Sequence, residues 1–278
     1  MGWFEAAILG LVQGLTEFLP ISSSAHIRVV SAFAGWPDPG ATFTAITQLG
    51  TEAAVLIYFR KDIVRIVRAW TRSLFQPESR KDPDARLGWY VILGTIPIAV
   101  LGLLLQDTIA GAFRDLRLTA LMLIGFALIL AFADRAATNR RSLPDLGARG
   151  ALVFGLAQAF ALIPGVSRSG STIAAGLLMD FRREEAARYS FLLAIPAVLA
   201  SGGLELTKIS ESGPVGLGAT AVATIVSFGV GYVVIAWLMR YLTTNRFTPF
   251  IVYRIALGVL LLILVATGVL EPDAGVTH

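Results

Sequence analysis

The 278-residue chain is 55% hydrophobic and only 15% charged, against about 45–50% and about 25% in an ordinary soluble domain, so its apolar surface needs a solvent other than water. The net charge of +4 does not signal a nucleic-acid partner, because the basic residues lie in short loops between apolar runs and not on one soluble face. With no cysteine, disulfides, thiolate metal sites and a Cys nucleophile are excluded, and any chemistry must come from oxygen and nitrogen groups.

Residues 1–19 are apolar, without a preceding Lys or Arg or a small-residue cleavage pattern, and are read as part of the mature fold. In chain order, 3–34 reads as a re-entrant helix pair broken at Pro20, followed by transmembrane helices over 41–59, 87–105 and 118–134. A second re-entrant pair over 150–180, broken at Pro164 and Gly165, precedes helices over 189–207, 215–239 and 249–270. The expected fold is an all-α polytopic membrane protein with six transmembrane helices and two re-entrant helix-loop-helix pairs. Residues 10–24 and 155–169 align without gaps at an offset of 145, matching Gly10 with Gly155, Gln13 with Gln158, Ser22 with Ser167 and Ser24 with Ser169. This predicts one membrane domain, 1–278, containing two repeats, about 1–137 and 145–278. Paired broken segments of this kind point to a site between membrane repeats.

Charge fixes an orientation. The connections 60–86, 135–149, 181–188 and 240–248 carry seventeen of the Lys and Arg residues and define the cytoplasmic side. Arg114, Arg117 and Lys208 fall on the other side, where both termini are then expected. The first re-entrant pair opens outward and the second inward, making the repeats inverted. Arg28, Arg168 and Arg254 lie outside the loops, and a charge at membrane depth is a site candidate by default.

Two constellations carry the chemistry. The first segment runs Gln13-Gly-Leu-Thr-Glu17-Phe-Leu-Pro20-Ile-Ser22-Ser23-Ser24-Ala-His26. Gln13 and Glu17 share a helix face, Pro20 ends that helix, and His26 is one of only two histidines, the other being His278. Singly, these residues could be a packed carboxylate, helix-capping serines and a satisfied core histidine; their grouping beside a broken helix favours a site. The second segment runs Pro164-Gly165-Val166-Ser167-Arg168-Ser169-Gly170-Ser171-Thr172. Its break exposes backbone N–H groups ahead of a helix whose N-terminus favours an anion, and Arg168 offers a fork suited to phosphate. The competing reading is a capped helix whose arginine pairs with a carboxylate such as Glu17. Gln48 and Glu52, four apart, are candidates for lining the same cavity. Small residues at Gly213, Gly216, Gly218, Gly229 and Gly231 permit close helix packing within or between chains, and a homodimer is the favoured expectation.

These motifs resemble the undecaprenyl-diphosphatase family of bacterial membranes, also called bacitracin-resistance proteins, over nearly the whole chain. Gln13 to Glu17 resembles its first motif with its serine-histidine extension, and Pro164 to Thr172 its second. The resemblance implies hydrolysis of undecaprenyl diphosphate to undecaprenyl phosphate and inorganic phosphate, recycling the carrier for cell-wall synthesis at a periplasm-facing site of the bacterial inner membrane. It also implies a divalent cation, Mg²⁺ or Ca²⁺. Many members carry Glu where this chain has Gln13, so the amide brings a carbonyl ligand without charge.

Hydrolysis of a phosphoanhydride needs charge neutralisation, a nucleophile and help for the leaving group. Arg168, with Ser22, Ser24, Gly165, Ser167, Ser169 and Thr172, is expected to hold the diphosphate. Glu17, with Gln13, holds the cation or acts as general base. His26 activates a serine or water, or is itself phosphorylated; of the nucleophiles Ser23, assisted by His26, is favoured because the resemblance places an important serine there. A roughly 55-carbon tail at about 0.8 kcal/mol per buried CH₂ keeps the substrate in the bilayer. The rival reading is a secondary transporter or lipid flippase, which needs recognition groups but no nucleophile and base; a structural subunit has no motif in its favour.

Overall fold

The computed structural model describes residues 1–105, 115–206 and 215–272. Arg114, Lys208, Gly213 and His278 lie outside them. The described residues form an all-helical chain with eleven α-helices: α1 (Trp3–Thr16), α2 (Ser23–Ala34), α3 (Gly40–Tyr58), α4 (Arg60–Phe75), α5 (Pro83–Leu104), α6 (Leu116–Ala136), α7 (Ala148–Ala159), α8 (Arg168–Leu178), α9 (Arg183–Leu206), α10 (Leu217–Tyr241) and α11 (Thr248–Ala266).

Five of them, α5, α6, α9, α10 and α11, are long and apolar enough to cross a membrane, and the chain is a multi-pass membrane protein. They occupy five of the six expected spans. The sixth, over 41–59, is the 19-residue α3, but Thr42, Thr44, Thr47, Gln48, Thr51 and Glu52 make it less apolar than the other five. The broken segments become two pairs of short helices, α1–α2 and α7–α8, of 14, 12, 12 and 11 residues. At 1.5 Å per residue each is about 16–21 Å long, short of a hydrocarbon core of about 30 Å.

One basic connection is more ordered than its sequence reading as a loop. Residues 60–75 form α4, because Ile63, Ile66, Val67, Trp70 and Leu74 recur at helical spacing between arginines. Ile66 and Ser73 are buried against α5, where Trp70 meets Trp89 edge-on at 5.7 Å. Val64, Val67 and Phe75 remain exposed. Asp82 starts α5 by accepting from the Asp84 N–H at 2.8 Å, with Pro83 in the first turn, where its missing donor costs nothing.

The two halves of the chain pack on each other. Helix α1 lies on α10, and α7 lies on α5. Both contacts are made by glycine: a Cβ at Gly10 would strike the backbone of Ala223, and one at Gly155 the backbone of Gly94. Helices α3 and α9, and α6 and α11, also pair across the halves. Within α10, Gly218 faces Trp3 and Gly231 faces Phe18 and Thr51, so these small residues serve packing inside the chain, while Gly216 and Gly229 meet nothing within 4 Å.

Candidate active site

Glu17 closes α1, its N–H donating to Gln13 O at 3.0 Å. Pro20 prevents the helix from continuing, and the chain turns back through Ser22, whose φ of 73° is unusual for a residue with a side chain. This turn brings the start of α2 against the end of α1. The Glu17 carboxylate, only 8% exposed, receives three donors: Arg168 Nη2 at 2.6 Å on Oε1, and on Oε2 Ser23 Oγ at 2.6 Å and Gln13 Nε2 at 2.7 Å. A carboxylate in so dry a place is tolerated only when paired and hydrogen-bonded, and Arg168 supplies the counter-charge.

Arg168 is delivered from the second broken segment. Ser167, at φ 71°, caps α8 by accepting from the Gly170 N–H at 3.1 Å, and the hydroxyls of Ser167 and Ser169 lie 3.2 Å apart. Ser22 and Ser24 repeat that spacing at 3.2 Å in the first turn. Ser169 Oγ donates to Leu19 O at 3.1 Å, joining the two turns directly. Gly165, at φ 91°, passes so close to Thr119 that no side chain fits. The expected residues therefore converge: Gln13, Glu17, Ser23 and Arg168 are one hydrogen-bonded unit, with Ser22, Gly165, Ser167 and Ser169 in the turns beside it. Ser24 is exposed next to them. Thr172 is fully buried and bonded to Arg168 O, Ser169 O and the hydroxyl of Ser190 on α9, so its hydroxyl braces the turn from behind.

His26 occupies the same corner with other partners. Its Nδ1 lies 2.7 Å from Ser22 O, which can only accept, so Nδ1 carries the proton. Nε2 is left as the acceptor, 2.7 Å from Tyr253 Oη, and the two rings stack at 5.5 Å. The hydroxyl of Ser23 is bonded to Glu17 and the ring of His26 to Ser22 and Tyr253.

Three participants went unassigned in the sequence reading. Tyr253 and Ser190 gave no local signal, since each meets the site through tertiary packing alone. Arg254 was visible as an intramembrane charge without a role. It is wholly buried and donates only to carbonyl oxygens: Pro20 at 2.9 Å in the first turn, Gly165 at 2.9 Å and Val166 at 3.0 Å in the second, and Leu123 at 3.2 Å and Met122 at 3.4 Å on α6. One guanidinium, with five donors in a fixed plane, thus holds both turns at once.

Two buried acceptors in this region are unsatisfied within the protein. Gln13 turns its Nε2 to Glu17 and leaves Oε1 without a partner, and Glu52, 2% exposed and within electrostatic reach of Glu17 and Arg168, leaves its own Oε1 so. Gln48, half-buried, lies one turn before Glu52 and its carbonyl accepts from Thr51. Oxygen donors of this kind suit Mg²⁺ or Ca²⁺. No group of three or more His, Asp or Glu that could hold a metal ion occurs among the described residues.

The chain matches the family described as bacitracin resistance protein BacA over residues 6–260. It is 61% identical to undecaprenyl-diphosphatase 2 of Streptomyces coelicolor, covering 99% of this chain and 98% of that one. It is 60% identical to undecaprenyl-diphosphatase of Thermobifida fusca, at 99% and 94% coverage, and 58% identical to that of Micrococcus luteus, at 98% and 100%. Similarity of that extent, running through both broken segments, makes this chain a member of the bacitracin resistance protein BacA family.

Proposed function

We propose that this protein hydrolyses undecaprenyl diphosphate to undecaprenyl phosphate and inorganic phosphate, returning the lipid carrier to cell-wall synthesis; its relatives are named undecaprenyl-diphosphatase. The observation that carries the reading is the single Glu17 carboxylate shared between a serine hydroxyl and an arginine fork. Ser23 Oγ attacks the terminal phosphorus; its proton passes to Glu17 along the existing hydrogen bond. The P–O bond to the bridging oxygen breaks, and undecaprenyl phosphate leaves. Water then attacks the phosphoserine phosphorus and gives its proton to His26 Nε2, displacing the Tyr253 hydroxyl bonded there; the Ser23 Oγ–P bond breaks, Glu17 returns its proton to Ser23 along the same hydrogen bond, and inorganic phosphate leaves. Arg168, already beside Glu17, stabilises charge on the transferring phosphoryl together with the hydroxyls of the two turns. Gln13, Glu17 and Glu52 are the groups that would hold a divalent cation, which when bound supplies further neutralisation of the diphosphate.

In the same reading the halves are inverted repeats, α1–α2 and α7–α8 are re-entrant, and the catalytic turns open to the periplasm. Support comes from the short helices, the matched turns and the excess of basic residues on the opposite side. The setting is the bacterial inner membrane, and the sequence-based expectation of a homodimer stands beside it as a proposal.

The test is phosphate release from a long-chain prenyl diphosphate by the purified protein, with and without EDTA, for wild type, Glu17→Gln and Arg168→Ala. Loss of about 100- to 1,000-fold in both variants, with melting curves showing that they remain folded, is expected. A folded wild type that binds the lipid and releases no phosphate would replace hydrolysis with lipid transport.

A further inference from the structure

The face that carries the basic connections has a groove of its own. It consists of two open cavities of about 490 and 750 Å³ that share Tyr58 and Met239 as a common wall. None of the residues around Glu17 lines it. Its two ends differ in chemistry. At the α3–α4 junction the lining is Arg60, Lys61, Asp62 and Arg188; along the end of α10 it is Ala236, Trp237, Met239 and Arg240.

The charges do not cancel. Four basic side chains line the groove, Arg60, Lys61, Arg188 and Arg240, against two acids, Asp62 and Glu184. Asp62 is already engaged by Arg188 at 2.7 Å and Arg65 at 3.3 Å, and Glu184 by Arg182 at 3.3 Å. Among the described residues Lys61 and Arg240 have no acidic partner within 4 Å. Arg188 spends Nη2 on Asp62 and keeps a buried Nε with no acceptor.

A cationic end running into an apolar wall describes an amphiphile with an anionic head. The depth agrees, because Arg240 sits in the last turn of a membrane-spanning helix, one turn beyond the half-exposed Trp237, which stacks on Tyr241 at 5.1 Å. Tryptophan and arginine at that level mark the headgroup layer. Beside the groove α4 presents Arg68 and Arg72 on its outer face, adding positive potential at the surface.

We propose that this groove binds the phosphate headgroup of an anionic membrane phospholipid, with the phosphate among Lys61, Arg188 and Arg240 and the chains against Trp237 and Met239. The site is separate from the Glu17 centre and needs no turnover. A phosphate monoester or inorganic phosphate carries the same anionic oxygens but has nothing to place on the apolar wall, and the experiment separates these sources.

The full-length protein in detergent is examined by native mass spectrometry with phosphatidylglycerol, with phosphatidylcholine, and with phosphatidylglycerol in competition with inorganic phosphate. Wild type, Lys61→Gln/Arg240→Gln and the charge-keeping Lys61→Arg/Arg240→Lys are compared. Both positions are exposed, so unchanged melting is expected. The proposal expects a saturable phosphatidylglycerol adduct, weakened roughly 20- to 30-fold by loss of the two charges and kept by the charge-conserving pair, with phosphate release unaltered. Equal binding of phosphatidylcholine, or equal phosphatidylglycerol binding by the Gln pair, would overturn it. Displacement of the lipid by inorganic phosphate at comparable concentration would reduce the groove to a plain anion site and reject the lipid. Should the Gln pair fail to fold, Arg240→Gln alone, expected to lose about fivefold, decides.

Discussion

Ser22 and Ser167, 145 positions apart, adopt nearly the same backbone, with φ of 73° and 71°. Each places its hydroxyl 3.2 Å from that of the serine two residues on. Two positions before each, the carbonyls of Pro20 and Gly165 converge on Arg254. A positive φ in a non-glycine residue costs of order 1–3 kcal/mol and persists only where the surroundings impose it. Here the imposing element is a cation shared by both turns.

Arg254 should therefore be the residue on which the site's shape depends. Arg254→Met strands carbonyls in both turns, and buried unsatisfied groups cost about 1–3 kcal/mol each. The expected result is a melting midpoint lowered by at least about 6 °C, with phosphate release lost. Arg254→Lys, with three donors in place of five, should recover part of both. Unfolding followed by fluorescence in detergent measures this, and an unchanged midpoint in Arg254→Met would remove Arg254 from that role.

Ser23 and His26 should behave differently under substitution. Ser23→Ala removes the proposed nucleophile and should abolish phosphate release while leaving the Glu17–Arg168 pair intact. Tyr253→Phe removes only the donor to His26 Nε2 and should lower turnover by about 10-fold or less, because such an interaction is worth roughly 0.5–1.5 kcal/mol. Rapid-quench experiments should trap phosphate on the wild-type protein and none on Ser23→Ala; trapped phosphate in Ser23→Ala would move the nucleophile to another residue.

Gly10 and Gly155 should be intolerant of even one methyl group. Each Cβ would overlap backbone of the opposite half, and overpacking of this kind typically costs 1–3 kcal/mol. Gly125 on α6 faces open space, and Gly125→Ala should be neutral or stabilising by about 0.5–1 kcal/mol. Thermal melting of the three variants checks the contrast.

Asp180 supplies an acid-sensitive contact outside the apolar spans. The Thr138 N–H donates to it at 2.7 Å, and this bond holds its carboxyl below the usual value of 3.8. The contribution is thus complete above pH 3.8 and is lost as pH falls through the lowered native value. Melting scans between pH 6 and 3 should show a shallower acid loss for Asp180→Asn than for wild type, since Asn also suits the φ of 69°. Parallel curves would assign the acid limb to other carboxylates.

The spans were legible because twenty apolar residues have few alternatives, and the turns because Pro20 and Pro164 interrupt runs that would otherwise be helical. That Arg168 meets Glu17 was one of two readings its sequence allowed. The partners of Ser23 and His26 were not legible. Both lie on the first turns of α2, and only the fold decides that one faces α1 and the other Tyr253, 227 positions away. Residues 60–75 were read by charge, which hid the helical recurrence of Ile66, Trp70 and Leu74. Arg254 could be located but not interpreted, since main-chain oxygens leave no mark in a sequence.

The glycine contact between α1 and α10 also sets a timetable for biogenesis. Ala223, which Gly10 packs against, follows it by 213 residues in the chain. At about 5–20 residues per second, the nascent α1 waits roughly 10 to 40 seconds in the bilayer with its contact surface uncovered. Formation of α1 and completion of its packing are therefore separate events, and a chain that stalls before α10 emerges holds Gly10 and Gly14 without the helix they pack against.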